Sequence, residues 1–169
     1  GSKIAAADLK AFSGLKKVGV FVNESRENIL KVVESYGLDA VQLHGDETPG
    51  FCESLKHAVT VIKAFRVQGD EDLTTILKPY ESAADYFLFD TKAKEYGGTG
   101  KKFDWSVLEK TLIAKPYFLS GGIGPDDADA VQSYLSANKA FALDVNSKFE
   151  KEPGVKNMGS VKQFVSTIK

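Results

Sequence analysis

Residues 120–128 read SGGIGPDDA and follow directly on the apolar run Pro116-Tyr117-Phe118-Leu119. How this stretch is read decides the fold. Glycines let backbone N–H groups come close to a phosphate, and a helix N-terminus favours negative charge. The same residues also suit a tight turn from a strand into a helix. Pro125 fits the first helical turn, and Asp126 and Asp127 complement its dipole. The rest of the chain has to choose between an anion site and a plain turn.

Working outward, apolar runs rich in β-formers recur. They are Lys17–Val22, Ala40–His44, Thr60–Phe65, Tyr86–Asp90, Tyr117–Ser120 and Phe141–Val145. Most are continuously apolar rather than alternating, which predicts parallel strands buried on both faces. Helical spacing lies between them. Arg26–Tyr36 carries Ile29, Leu30, Val32 and Val33 and stops at Gly37. Pro49 opens a segment to His57, Leu73 to Tyr80 forms an apolar stripe, and so do Ala128, Val131 and Leu135. Met158 to Ile168 reads as a terminal amphipathic helix, and Ile4 to Phe12 as an opening one. The order is therefore a helix followed by six strand-plus-helix units, with strands roughly every 20 to 30 residues, the spacing of βα repeats. Lys92–Lys102 is the one long loop, and long loops are often functional.

Composition narrows the classes. The chain has 169 residues, 43% hydrophobic and 27% charged, the profile of one globular domain with its own core. Twenty-two basic residues against 23 acidic ones give a net charge of −1, so nothing points to nucleic acid. A phosphate ligand would be small and held by a local site. No run approaches the ~20 apolar residues that span a bilayer, and no signal-peptide pattern is present. The single cysteine, Cys52, excludes an internal disulfide framework and fits the reducing cytoplasm. Two histidines without Cys or Glu at ligand spacing argue against structural zinc, so no metal is expected.

Polar residues collect where the strands end. His44 follows Gln42-Leu43, Arg66 follows Phe65, and Asp90 follows Phe89. Gly121-Gly122 follow Ser120, and Asp144 leads into Asn146-Ser147. In a TIM barrel the C-terminal rim of the strands holds the active site, and the loops after the last two strands often bind phosphate. This placement favours the anion reading of the glycines. The fold expected is α/β, of TIM-barrel type: a single domain over 1–169 with about six of eight strands.

Five motifs now stand in order: Gln42-Leu43-His44-Gly45; Phe89-Asp90-Thr91; Tyr96 through Trp105; Ser120-Gly121-Gly122-Ile123; and Leu143-Asp144-Val145-Asn146-Ser147 with Pro153-Gly154-Val155-Lys156. Together they resemble the phosphoribosylanthranilate isomerases of tryptophan biosynthesis. The resemblance implies an Amadori rearrangement of an aminoaldose phosphate, with no cofactor. A general acid opens the furanose ring, and a base then removes the C2 proton of the iminium. By the same resemblance Asp90 is the acid, and Gly121, Gly122, Asn146 and Ser147 hold the phosphate. Asp144 lies near the substrate amine, and Arg66 and His44 face the substrate. Plainer roles fit some of these residues too. Asp90 suits a loop cap, Arg66 a rim ion pair, and His44 a satisfied core position.

Two departures stand out. Lys148 occupies a position where the family often has glycine. More seriously, the family's opening strand with Lys-x-Cys-Gly, whose cysteine is the base, and its Ser-Pro-Arg loop have no counterpart here. Cys52 sits in a helical stretch and reads as a small buried hydrophobe. Six strands do not close an eight-stranded barrel, and open apolar edges invite pairing. The expectation is an N-terminal part removed or left out of the sequence, or else a second copy covering the edges in a homo-oligomer. Little or no isomerase activity is then expected of these residues alone. Two other readings remain open: a non-catalytic phosphate-binding scaffold, and another ribulose-phosphate-binding barrel enzyme such as indole-glycerol-phosphate synthase.

Overall fold

The computed structural model describes residues 14–68, 71–91, 104–138 and 140–168. All six anticipated strands form. They are β1 (Val18–Phe21), β2 (Ala40–Leu43), β3 (Thr60–Val67), β4 (Tyr86–Thr91), β5 (Tyr117–Leu119) and β6 (Ala142–Leu143). They stand in one sheet in chain order, β1-β2-β3-β4-β5-β6. β1 pairs parallel with β2, β2 with β3, and β5 with β6. Parallel neighbours in chain order need a crossover each time, and the helices supply it. This is the (β/α) repeat of TIM-barrel type expected from the sequence.

The helices follow their local signals. α1 (Arg26–Tyr36) starts at Ser25, whose side chain accepts a hydrogen bond from the Asn28 N–H, and it stops at Gly37. α2 (Pro49–Lys56) starts at Thr48, whose side chain accepts from the Phe51 N–H. The apolar stripe at 73–80 becomes a short helix, α3 (Leu73–Leu77), continued by a 3₁₀ turn at Lys78–Tyr80. α4 (Ser106–Glu109) is one turn long. The proline and aspartates at 125–127 form a 3₁₀ turn rather than the first α-helical turn. Asp127 folds back to accept the Gly124 N–H at 2.7 Å, and α5 (Ala128–Ala137) follows. A hairpin that the periodicity did not show, β7 (Glu150–Glu152) with β8 (Val155–Lys156), precedes α6 (Met158–Thr167). The expected helix at Ile4–Phe12 and loop at Lys92–Lys102 lie outside the described residues.

The chain falls into two compact units. The first takes residues up to Phe65 together with Leu73–Phe87. Its core holds Ile29, Val41, Leu43, Cys52, Leu55 and Val61, all fully buried. The second takes Arg66–Asp72 and the residues from Leu88 onward. Phe89, Leu119, Val131 and Phe149 are buried at its centre. The Phe149 and Phe164 rings meet edge-on at 5.1 Å, fixing α6 against the chain after β6. Burying each such ring contributes about 1.5–3 kcal/mol.

Burial on both faces does not extend to β1. Val18 and Val20 are exposed, Val20 to 60%, and Phe141 just before β6 is exposed too. β1 and β6 are the end strands of the sheet, and among the described residues no further strand pairs with their outer edges.

Candidate active site

In the second unit the ends of β4, β5 and β6 are tied together by hydrogen bonds. The Ser120 N–H donates to Phe89 O at 2.9 Å, which fixes the start of the glycine loop beside the end of β4. The Asp144 N–H donates to Leu119 O at 2.8 Å, and the Ser120 hydroxyl donates to Asp144 Oδ2 at 2.8 Å. Ser120 is buried, and this bond orients the Asp144 carboxylate.

Gly121 and Gly122 have φ of +89° and +70°, the left-handed region that costs a residue with a Cβ. Space forbids a side chain as well. A Cβ on Gly121 would stand 2.6 Å from the Thr91 N atom and 3.1 Å from Asp90 Oδ1. The glycine backbone therefore lies directly against the Asp90 carboxyl group. Asp90 Oδ1 also accepts the Thr91 N–H at 2.8 Å, the loop-capping bond that its position predicted. Cap and neighbour of the glycine loop are thus one conformation of a single half-buried side chain.

Beyond β6, Ser147–Phe149 form a single 3₁₀ turn entered through Asn146. The first N–H groups of such a turn have no partner inside it. Asn146 and Ser147 are both exposed. Lys156 Nζ donates to Asn146 Oδ1 and to Glu150 Oε1, both at 2.5 Å. The Lys156 ammonium, helped by the Gly154 N–H, holds the Glu150 carboxyl below the usual range. The β7–β8 hairpin thus steadies the Asn146 side chain.

Of the anticipated site residues, Arg66, Asp90, Gly121, Gly122, Asp144, Asn146 and Ser147 all belong to the second unit, Arg66 at the end of β3. His44 belongs to the first unit. Its backbone N–H donates to Phe21 O at 2.8 Å, and its Nδ1 accepts from Gln42 Nε2 at 2.9 Å. Among the described residues no cluster of His, Cys, Asp and Glu could hold a metal ion.

Sequence reasoning missed a charge cluster in the first unit. Lys63, in the middle of β3, is buried and donates to Gly45 O at 2.7 Å, Leu43 O at 3.2 Å and Glu47 Oε2 at 2.9 Å. Glu47, also buried, accepts the Asn23 N–H at 2.9 Å and the Gly45 N–H at 3.0 Å. Burial alone would raise the Glu47 pKa. The Asn23 N–H and the Lys63 ammonium outweigh it and hold the carboxyl below its ordinary value. A lysine inside Thr60-Val61-Ile62-Lys63-Ala64-Phe65 was the available signal, since a buried lysine needs a partner.

The fold and the rim define a (β/α)-barrel-type protein with polar groups gathered at the C-terminal strand ends, the arrangement of a barrel enzyme. Residues 2–167 match the family described as N-(5'-phosphoribosyl)anthranilate (PRA) isomerase. An N-(5'-phosphoribosyl)anthranilate isomerase from Parabacteroides distasonis is 44% identical over 154 residues, covering 90% of this chain and 69% of the relative. The crystal structure of phosphoribosyl anthranilate isomerase from Thermotoga maritima superposes with a TM-score of 0.81 at 36% identity, covering 96% of this chain and 78% of the other. A further phosphoribosyl anthranilate isomerase structure, in complex with reduced 1-(o-carboxyphenylamino)-1-deoxyribulose 5-phosphate, gives a TM-score of 0.77 at 32% identity, with 96% and 76% covered. The chain belongs to the N-(5'-phosphoribosyl)anthranilate isomerase family, a family of enzymes. Among the described residues no helix is long and apolar enough to cross a membrane.

Proposed function

We propose that this chain carries the acid and the phosphate cradle for isomerising N-(5'-phosphoribosyl)anthranilate to 1-(2-carboxyphenylamino)-1-deoxyribulose 5-phosphate in cytoplasmic tryptophan biosynthesis. Asp90 gives a proton to the furanose ring oxygen. The C1–O bond breaks and the anthranilate nitrogen supplies the electron pair, leaving an iminium at C1. Removal of the C2 proton then gives an enamine that becomes the ketone, and the substrate's atoms are conserved throughout. Gly121 and Gly122 offer backbone N–H groups, and Asn146 and Ser147 bound the phosphate from the other loop. Asp144, held by Ser120, faces the amine, and Arg66 contacts the substrate.

One observation carries this reading: the Asp90 carboxyl lies 3.1 Å from the place a Gly121 Cβ would take, so acid and cradle adjoin. Cys52 does not supply the base. It is a fully buried residue of α2, and burial pushes its thiol up to about 11. No other cysteine is present among the 169 residues.

The test pairs turnover of N-(5'-phosphoribosyl)anthranilate with binding of inorganic phosphate, for the chain and for Asp90→Asn. Asp90→Asn is expected to remove whatever turnover the chain has and to leave phosphate affinity within about twofold, since a carboxyl-to-amide change conserves shape. Undiminished turnover in the variant would remove Asp90 from the acid role. The reading also includes a second copy over the exposed valines of β1. Sedimentation over a range of concentrations is expected to show self-association, and a strictly monomeric chain would remove that element.

A further inference from the structure

We propose that Lys148 is a cation of the phosphate site, reaching it across the glycine loop. The inference rests on the phosphate cradle proposed above and adds a charged group to it. Lys148 is the middle residue of the 3₁₀ turn Ser147–Phe149, immediately after the serine of the cradle. Its aliphatic stem does not extend outward alone. Lys148 Cδ lies 3.0 Å, and its Cβ 3.4 Å, from the place a Cβ on Gly124 would take. Gly124 closes the glycine loop and is itself buried. The stem therefore packs between the two loops that form the cradle, and a Cβ at position 124 would press on it.

Charges nearby leave the ammonium available. Asp127 Oδ2 lies 3.6 Å from the same point on Gly124, but it accepts the Gly124 N–H at 2.7 Å. Lys156, the other lysine beside this loop, is engaged by Glu150 and Asn146. Among the described residues the Lys148 ammonium forms neither a hydrogen bond nor an ion pair. The side chain is exposed, so its charge keeps its hydration until an anion arrives. A dianionic phosphate held by backbone N–H groups gains from one mobile cation, because charge-assisted hydrogen bonds are roughly twice as strong as neutral ones. The resemblance puts glycine at this position, so Lys148 gives this chain a charged contact that the family pattern lacks. The ligand class is a phosphate monoester dianion.

The experiment is an NMR titration of the ¹⁵N-labelled chain with inorganic phosphate at two ionic strengths, applied to the chain and to Lys148→Gln, Lys148→Arg and Gly122→Val. Lys148→Gln is expected to weaken phosphate binding by roughly tenfold, the size of one charge-assisted hydrogen bond. It should also flatten the salt dependence. Lys148→Arg should keep both, because the charge and reach remain. Gly122→Val should abolish binding. Equal affinity and equal salt dependence in the chain and Lys148→Gln, with binding still lost in Gly122→Val, would overturn the role of Lys148 and leave the cradle standing. Equal affinity in the chain and Gly122→Val would overturn the cradle and this inference together.

Discussion

Two loops occupy equivalent places in the repeat, each at the C-terminal end of a strand, and they use their polar groups in opposite ways. The loop after β2, His44 to Glu47, is saturated. Buried Lys63 takes the Gly45 carbonyl and that of Leu43 at the end of β2, Glu47 turns back onto the Gly45 and Asn23 N–H groups, and Asn23 Oδ1 accepts the Asp46 N–H at 2.7 Å. The loop after β5 is tied at its two ends, through Ser120 and Gly124. Between them Gly121 and Gly122 both take positive φ, and Gly121 lies against Asp90 and Thr91. One loop is built to stay folded, and the other is the one we propose meets a ligand. Stability and binding should therefore separate cleanly between them.

The largest effect is expected from Lys63→Met. It strands a buried Glu47 carboxylate, a change that costs about 3–5 kcal/mol when one partner of a buried pair is lost. Chemical denaturation measures it. The double variant Lys63→Met with Glu47→Leu should recover most of that loss. If the single and double variants are equally unstable, the pair is not what holds the loop.

Acid should find the same loop next. The Glu47 carboxyl is held below its ordinary value by the Asn23 N–H and Lys63, against the opposing pull of burial. A depressed folded-state pKa gives stability that is present above the unfolded carboxyl value, near 4.3, and lost as pH falls toward the folded value. Stability measured from pH 7 to pH 3 should decline below about pH 4.5, and Glu47→Gln should flatten that decline. A variant with the same pH profile would show that Glu47 is not the group responsible.

Gly121→Ala reverses the comparison. A Cβ there meets the Thr91 N atom at 2.6 Å and takes an unfavourable φ, so about 1–3 kcal/mol of stability is expected to go. Phosphate affinity should fall much further in proportion, because the loop must lift away from Asp90. Smallest of all is Ser120→Ala, which removes the hydroxyl that Asp144 accepts. It should cost about 1 kcal/mol in thermal unfolding. Its mark should fall on substrate affinity rather than on phosphate affinity, given the role at the amine proposed for Asp144. A Ser120→Ala chain that binds substrate normally would relieve Asp144 of that role.

Much of this was legible in the residues, and the exceptions have physical causes. Continuous apolar runs gave the six strands, and Ser25, Thr48 and Gly37 marked helix ends because capping is local chemistry. The β7–β8 hairpin was hidden. Glu150-Lys151-Glu152 carries no apolar alternation, and only Pro153-Gly154 signals the turn. Open apolar edges were expected from the count of six strands, and exposed Val18 and Val20 in β1, an end strand, agree with that. At the site, the spacing of Asp90 and Gly121-Gly122 along the chain pointed to one rim. The Ser120–Asp144 bond and the Lys63–Glu47 pair depend on register between strands and emerge only from the fold.

The most direct measurement maps amide chemical shifts of the labelled chain while inorganic phosphate is added. Saturable shifts concentrated at Gly121, Gly122, Ser147 and Thr91, with the His44–Glu47 loop silent, are the predicted result. Saturable shifts confined to any other part of the chain would contradict the placing of acid and anion on one rim.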